Sequence, residues 1–445
     1  MEKIKFENLN LKSPFLKALN DEGYTFPTPI QSQTIPNALQ GFDILGVAQT
    51  GTGKTAAFTL PILQKLNSIQ STDKFRHPKA IILSPTRELA IQIDNSIKVY
   101  GKYIALKHIA VFGGVKQGPQ VTNLKRGVDI IVATPGRLLD LVNQGLCSLE
   151  EIKFFVLDEA DRMLDMGFIR DVEKIINLLP KKKQSLFFSA TMPQSVSKLA
   201  NKILENPKKV SVKATVTPID RISQSVIVLE PQNKLPQLVS LLQDSSLETV
   251  IVFIKTKHKA NRVCQKLRQI GMVIDVIHSN KSQAARQKAL NDFKEGKIKI
   301  LLATDIAARG IDVEAVSHII NFDMPSTPED YVHRIGRTAR AGANGVAISL
   351  CEPSERLKLF RIEELINSKL KVMKSDFLGI ETVEDFDKKT FKSNINKTIN
   401  RGFAKTKNIK SLKVLETKTK SIIKRNAKKN KLKVKLKKIE RKNNV

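Results

Sequence analysis

Between residues 40 and 350 the chain alternates short apolar runs with stretches of helical periodicity. FDILGVA, KAIILSPT, IAVFGG, VDIIVATP, FFVLDEA and SLFFSAT fill the first half. SVIVLE, TVIVFIKT, MVIDVIHS, KIKILLATD, SHIINFD and GVAISL fill the second. Each run is nearly continuous in Val, Ile, Leu and Phe rather than alternating with polar residues. That is the pattern of a strand buried on both faces, hence of a parallel sheet covered by helices. Two sets of about six strands with crossover helices predict two α/β domains in tandem. The pattern lapses over ENPKKVSVKATVTPIDRI, which sets expected bounds of 1–208 for the first domain, 209–222 for a linker and 223–375 for the second domain.

Composition narrows the class. The 445 residues carry 75 Lys and Arg against 43 Asp and Glu, a formal net charge of +32. Residues 391–445 hold 20 of those bases and 2 acids, with apolar residues such as Ile422, Leu432, Val434 and Ile439 isolated among lysines. Such a segment cannot offset its ordering entropy by burial, so 376–445 reads as a basic, disordered C-terminal tail. A solvated lysine-rich surface is the plainer alternative. Cys147, Cys264 and Cys351 are far apart and form no metal-ligand or disulfide pattern, which suits a reducing compartment. The N-terminus has no signal-peptide core and no apolar run is long enough to span a membrane, so the expected location is cytoplasmic.

Three motifs carry chemistry. Ala48-Gln49-Thr50-Gly51-Thr52-Gly53-Lys54-Thr55 follows a strand and opens a helix. Consecutive N–H groups of such a turn wrap phosphate oxygens, with Lys54 reaching the β/γ-phosphates and the Thr55 hydroxyl holding Mg²⁺. Ala48 stands where the strict pattern has Gly, and a glycine-rich turn with an incidental lysine is the plain alternative. Asp158-Glu159-Ala160-Asp161 ends the FFVL strand. Asp158 can hold Mg²⁺ through water and Glu159 can activate the attacking water, although an acidic helix cap has the same sequence. In His333-Arg334-Ile335-Gly336-Arg337-Thr338-Ala339-Arg340, Arg337 and Arg340 are three apart, so on a helix they share a face. They can stabilise phosphoryl-transfer charge, or simply form a basic surface.

In this order the motifs resemble the DEAD-box ATP-dependent RNA helicases, and within them the bacterial RhlE-type subgroup, over about residues 4–360. The resemblance implies two RecA-like domains, each a mainly parallel sheet flanked by helices. Gly23-Tyr24-Thr25-Phe26-Pro27-Thr28-Pro29-Ile30-Gln31 matches the Q motif, with Phe6 as its upstream aromatic. Gln31 is then expected to read adenine and Tyr24 to stack on it. Thr50, Gly51, Thr52, Gly53, Lys54 and Thr55 are expected to take the phosphates, and Asp305, Gly310 and Asp312 to contact the nucleotide from the second domain. Ser189 and Thr191 resemble the coupling motif that bonds Asp161 and His333. Ala339 occupies a place often filled by Gly.

The same resemblance assigns RNA contacts to Thr86, Arg87, Gly113, Gly114, Thr134, Gly136, Arg137, Lys255, Gln283, Arg286 and Thr304. These are turn amides, hydroxyls and single arginines, suited to phosphates more than to base edges. The activity implied is RNA-stimulated ATP hydrolysis coupled to local, non-processive separation of RNA duplexes, with ATP and Mg²⁺. Expected partners are single-stranded and duplex RNA and ribosomal or ribonucleoprotein particles, for a chain that is itself a monomer. An ATP-gated RNA clamp or ribosome-assembly scaffold is the alternative from another class. A DNA helicase shares the same chemistry.

Overall fold

The computed structural model describes residues 4–49, 51–69, 76–212, 221–244, 247–308, 316–339 and 344–375. Every apolar run named above forms a strand. The first sheet contains β1 (Ile44–Val47), β2 (Ala80–Leu83), β3 (His108–Val111), β4 (Ile130–Ala133), β5 (Phe154–Leu157), β6 (Gln184–Ser189) and β7 (Lys208–Ser211). The second contains β8 (Ile222–Val228), β9 (Val250–Phe253), β10 (Ile274–Ile277), β11 (Ile300–Ala303), β12 (His318–Asn321), β13 (Gly345–Cys351) and β14 (Lys371–Met373). Their orders, β3-β4-β2-β5-β6-β1-β7 and β10-β11-β9-β12-β13-β8-β14, are the same topology written twice. All these pairings are parallel.

Among the described residues each sheet has seven strands, where the sequence pattern predicts about six. The additional strands, β7 and β14, are short edge strands with exposed lysines (Lys208, Lys209, Lys371), so neither presents a continuous apolar run. β7 pairs with β1, and residues 209–211, expected in the linker, therefore belong to the first sheet. Ile222 likewise already belongs to β8. The expected tail, 376–445, lies outside the described residues.

Burial on both faces is visible in β2 and β5. Ala80, Ile82, Phe154 and Val156 pack into one core, and Ile81, Leu83, Phe155 and Leu157 into the other. A separate core forms around Val250, Val252, Leu302 and Ile320 of the second sheet. Cys147, Cys264 and Cys351 are buried, unbridged thiols. Among the described residues no helix is long and apolar enough to cross a membrane.

Several connections share one local grammar: a strand ends, a Ser or Thr caps, and a helix begins. Thr86 accepts from Leu89 N–H before the helix Arg87–Tyr100, and Thr256 accepts from Lys259 N–H before Lys257–Gln269. Ser282 and Thr327 do the same for Gln283–Lys294 and Pro328–Ile335. The cap satisfies an otherwise orphaned helical N–H and fixes the turn at the C-terminal end of a strand. In parallel α/β sheets that is where ligand-binding groups gather.

Gly46, opposite Phe188 in the β1–β6 register, lets the Phe188 ring lie against the β1 backbone, and a Cβ there would overlap that ring. Gly46→Ala is expected to destabilise the first domain by about 1–3 kcal/mol, read as a lowered urea midpoint.

Candidate active site and nucleic-acid interface

β5, β6 and β1 are neighbours, so their C-terminal ends bring together Asp158–Asp161, Ser189–Thr191 and the loop leading to Lys54. The loop turns through left-handed glycines, Gly51 at φ 82° and Gly53 at φ 90°, into the helix Lys54–Asn67. Lys54 is 6% exposed and its Nζ donates to the Ala48 carbonyl at 3.0 Å. The Thr52 hydroxyl donates to the Gln49 carbonyl at 2.7 Å.

Gln31 buttresses this loop from the helix Pro29–Leu39. Its Nε2 donates to the Gly53 carbonyl at 3.1 Å and its Oε1 accepts from Thr28 N–H at 2.9 Å. A Cβ on Gly53 would collide with the Gln31 amide, so glycine is required there for contact as well as for φ. Tyr24 is 49% exposed, whereas Phe6 is 5% exposed and packs in the first core. Thr50, Gly310, Asp312 and Arg340, all named from the sequence, lie outside the described residues.

The acidic segment is buried. Burial pushes the Asp158 carboxyl up to about 6; Lys54 pulls it down and the neighbouring Glu159 raises it. A buried carboxylate disfavoured in this way, with the Thr55 hydroxyl in the first turn of the helix Lys54–Asn67, offers hard oxygen ligands of the kind Mg²⁺ takes alongside phosphates and water. Glu159 adopts a left-handed backbone, φ 52° and ψ 51°, unusual for a residue with a side chain. Its carboxylate pairs with Arg162 Nη1 at 2.7 Å, and Arg162 is itself 2% exposed.

Asp161 is the junction between two motifs. Its Oδ2 accepts from Ala190 N–H at 3.1 Å, Thr191 N–H at 2.8 Å and the Thr191 hydroxyl at 2.9 Å. Its own N–H donates to Ser189 Oγ at 3.3 Å, and that hydroxyl donates to the Thr191 carbonyl at 2.7 Å. The structure therefore brings Ser189, Thr191 and Asp161 into one network.

In the second sheet, Asp305 follows β11 and receives Arg334 as a bidentate pair, Nε at 2.6 Å and Nη2 at 2.9 Å. The helix Pro328–Ile335 ends before Arg337, so the helix face expected to carry Arg337 does not extend to it; Gly336 closes the helix and Arg337 lies in the turn beyond. Arg337 is 5% exposed; its Nε donates to the His333 carbonyl at 3.3 Å, and both residues line a recess with Asp305 and Asp330. Ala339 sits at φ 56°. The left-handed conformation gives the physical reason why glycine suits that position.

A guanidinium cluster draws on both sheets. Gly114, at φ 79°, lets Arg87 lie against the Gly113–Gly114 turn. Burial lowers the Arg87 pKa, and the nearby Arg286 and Arg137 guanidiniums lower it further. Arg286 Nη2 and Gln283 Nε2 both reach Glu88 Oε1 at 2.9 Å. Arg137 Nη1, Arg286 Nε and Gln283 Oε1 are buried and lack hydrogen-bond partners among the described residues. Thr134 and Thr304 are 8% exposed at the ends of β4 and β11, and Lys255 is exposed beyond β9.

Glu88 is the member of this cluster that sequence reasoning missed. It directly follows Thr86 and Arg87, but an acid in a first helical turn reads as an ordinary N-terminal charge. Its partner Gln283 is 195 residues away in the chain, so no local pattern points to it.

Residues 28–199 match the family model described as DEAD/DEAH box helicase, and residues 233–342 match that of the helicase conserved C-terminal domain. The DEAD-box ATP-dependent RNA helicase CshA of Bacillus subtilis is 42% identical over 375 residues, 84% of this chain and 75% of that protein. The chain belongs to the DEAD-box ATP-dependent RNA helicases. CshA of Bacillus licheniformis is likewise 42% identical over 381 residues, 86% of this chain and 77% of that protein. Among solved structures, S. cerevisiae Dbp5 bound to RNA and ADP BeF3 superposes with a TM-score of 0.75 at 31% identity, covering 87% of this chain and 97% of that one. The paired sheets are thus the tandem RecA-like domains of this family. These relatives do not carry the RhlE-type name expected from the sequence; the family is what is shared.

Relief of the left-handed strain gives a direct stability test. Ala339→Gly is expected to stabilise the DEAD-box protein by about 1 kcal/mol, seen as a raised thermal midpoint.

Proposed function

We propose that this chain hydrolyses ATP in response to RNA and uses that cycle to separate short RNA duplexes locally. The observation that carries the reading is the Arg87–Arg137–Arg286 cluster, which takes guanidiniums from both sheets and leaves buried donors without partners among the described residues. An ATPase without a polyanionic partner has no use for such a cluster, whereas a sugar–phosphate chain supplies acceptors without asking for a base sequence. Arg87, Gly113, Gly114, Thr86, Thr134, Gly136 and Arg137 hold the strand from the first domain. Lys255, Thr304, Gln283 and Arg286 hold it from the second.

The N–H groups from Gly51 to Thr55 and the Lys54 ammonium bind the ATP phosphates, while Gln31 and Tyr24 orient the base. Thr55 and Asp158 would hold Mg²⁺, partly through water, and the ion would supply positive charge to offset that of the phosphates. Glu159 orients the attacking water and takes its proton as the new P–O bond forms and the bond to the ADP oxygen breaks. Arg337 and Arg340 stabilise the charge that develops on the transferred phosphoryl group. Asp161 ties the acidic turn to the Ser189–Thr191 turn, and His333 joins that network from the arginine helix on closure, so RNA binding completes the ATP site.

Within the family we place the protein with the bacterial CshA type in preference to the RhlE type, supported by 42% identity over most of the chain. We further assign it to the cytoplasm as a monomer acting on ribosomal or other ribonucleoprotein RNA, a role that fits its net charge of +32.

Glu159→Gln separates turnover from binding. It is expected to lower RNA-stimulated ATP hydrolysis by about 10²–10⁴-fold while retaining ATP-dependent binding to a fluorescent single-stranded RNA. A variant that still supports function in cells would instead favour an ATP-gated clamp. Deleting residues 391–445, the basic segment, tests an anchoring role. The truncated protein is expected to bind single-stranded RNA more weakly and with a flatter log–log salt slope, by about 0.7 for each phosphate no longer neutralised, at unchanged saturated turnover.

A further inference from the structure

Asp323 lies just beyond β12, at the end of the NFD sequence, and belongs to none of the motifs described above. It is 6% exposed, yet it is surrounded by functional segments. Its Oδ2 accepts from Lys255 N–H at 2.9 Å, and its Oδ1 accepts from Lys259 Nζ at 2.6 Å. The carboxylate thus grips both ends of the turn from β9 into the helix Lys257–Gln269. Behind it lies Lys234, 1% exposed, whose Nζ is 3.7 Å from Asp323 Oδ1, 2.9 Å from Glu352 Oε1 and 3.4 Å from Glu355 Oε2. Burial raises the Asp323 carboxyl, but Lys259, the Lys255 amide and Lys234 together hold it below the usual carboxylate range.

The main chain of the same residue faces the other way. Arg334 Nη1 donates to the Asp323 carbonyl at 2.7 Å and to Asn321 Oδ1 at 3.0 Å, while the rest of that guanidinium is occupied by Asp305. The side chain of Asp323 therefore holds the Lys255 turn, and its carbonyl holds the helix that leads into Arg337. Buried charge-assisted bonds at this density leave neither segment free to shift alone.

We propose that Asp323 is a positioning residue that keeps the RNA-binding turn at Lys255 in register with the arginine helix, so that RNA engagement and arginine placement move as one body. This rests on the reading of Lys255 as an RNA contact.

The test uses the full chain and single-stranded oligouridylate as the probe. Asp323→Asn keeps an acceptor for the Lys255 amide but removes the charge that Lys259 and Lys234 balance. It is expected to raise the RNA concentration giving half-maximal ATPase by about tenfold, leaving the KM for ATP at saturating RNA unchanged. Lys259→Gln, at a side chain 40% exposed, is expected to shift the RNA half-saturation in the same direction by a smaller factor, and it carries the test if Asp323→Asn does not fold. Lys255→Glu serves as the control. If it weakens RNA activation while Asp323→Asn and Lys259→Gln do not, the positioning role is overturned and the RNA assignment stands. If Lys255→Glu has no effect, the RNA assignment of the turn fails and the positioning role falls with it. A parallel loss of thermal midpoint, ATP affinity and RNA affinity in Asp323→Asn would make the residue structural only and would also overturn the proposal.

Discussion

A carboxylate removed from water must find donors or counter-charges, and leaving one unpaired costs several kcal/mol. This fold repeatedly turns that constraint to use. Asp43 takes the Ser185 and Glu205 amides and joins the entry of β1 to that of β6. Asp129 takes the Lys107 amide and Arg76. Asp161 gathers the Ser189–Thr191 turn, Glu88 gathers Gln283 and Arg286, and Asp323 gathers the Lys255 turn. Each acid is satisfied only when a particular turn is in place, so the same demand that stabilises the fold also fixes the geometry of its sites.

This division explains what is legible in the sequence. Twelve strands are readable because burial leaves each a nearly continuous apolar run. β7 and β14 are not, since an edge strand rich in lysine resembles a loop. The phosphate-binding turn and the acidic turn are readable because their chemistry is written in consecutive residues. Glu88 and Lys234 are hidden for a different reason: their partners come from distant parts of the chain, and a buried lysine is indistinguishable by composition from an exposed one. Phe6 shows the complementary case, where a residue named for the nucleotide site is also part of the packed core.

Glu159 and Ala339 both hold left-handed backbone, one within the acidic turn and the other between the two arginines of its motif. In each case the surrounding network over-determines the conformation. Glu159 is held by Arg162 and by the strand before it, and Ala339 follows Thr338, whose hydroxyl bonds the Val316 and Ser317 carbonyls. A glycine there would relax the backbone but would remove the carboxylate that pairs with the buried Arg162 guanidinium.

The strand order has a consequence in time. β1 emerges first during synthesis, but its neighbours in the sheet are β6 and β7, which end at Ser189 and Ser211. The earliest strand therefore waits, without sheet partners, for the last two. β2, β4 and β5 can associate sooner. The loop after β1 is thus made early in synthesis, and its strand gains its sheet neighbours only once β6 and β7 have followed.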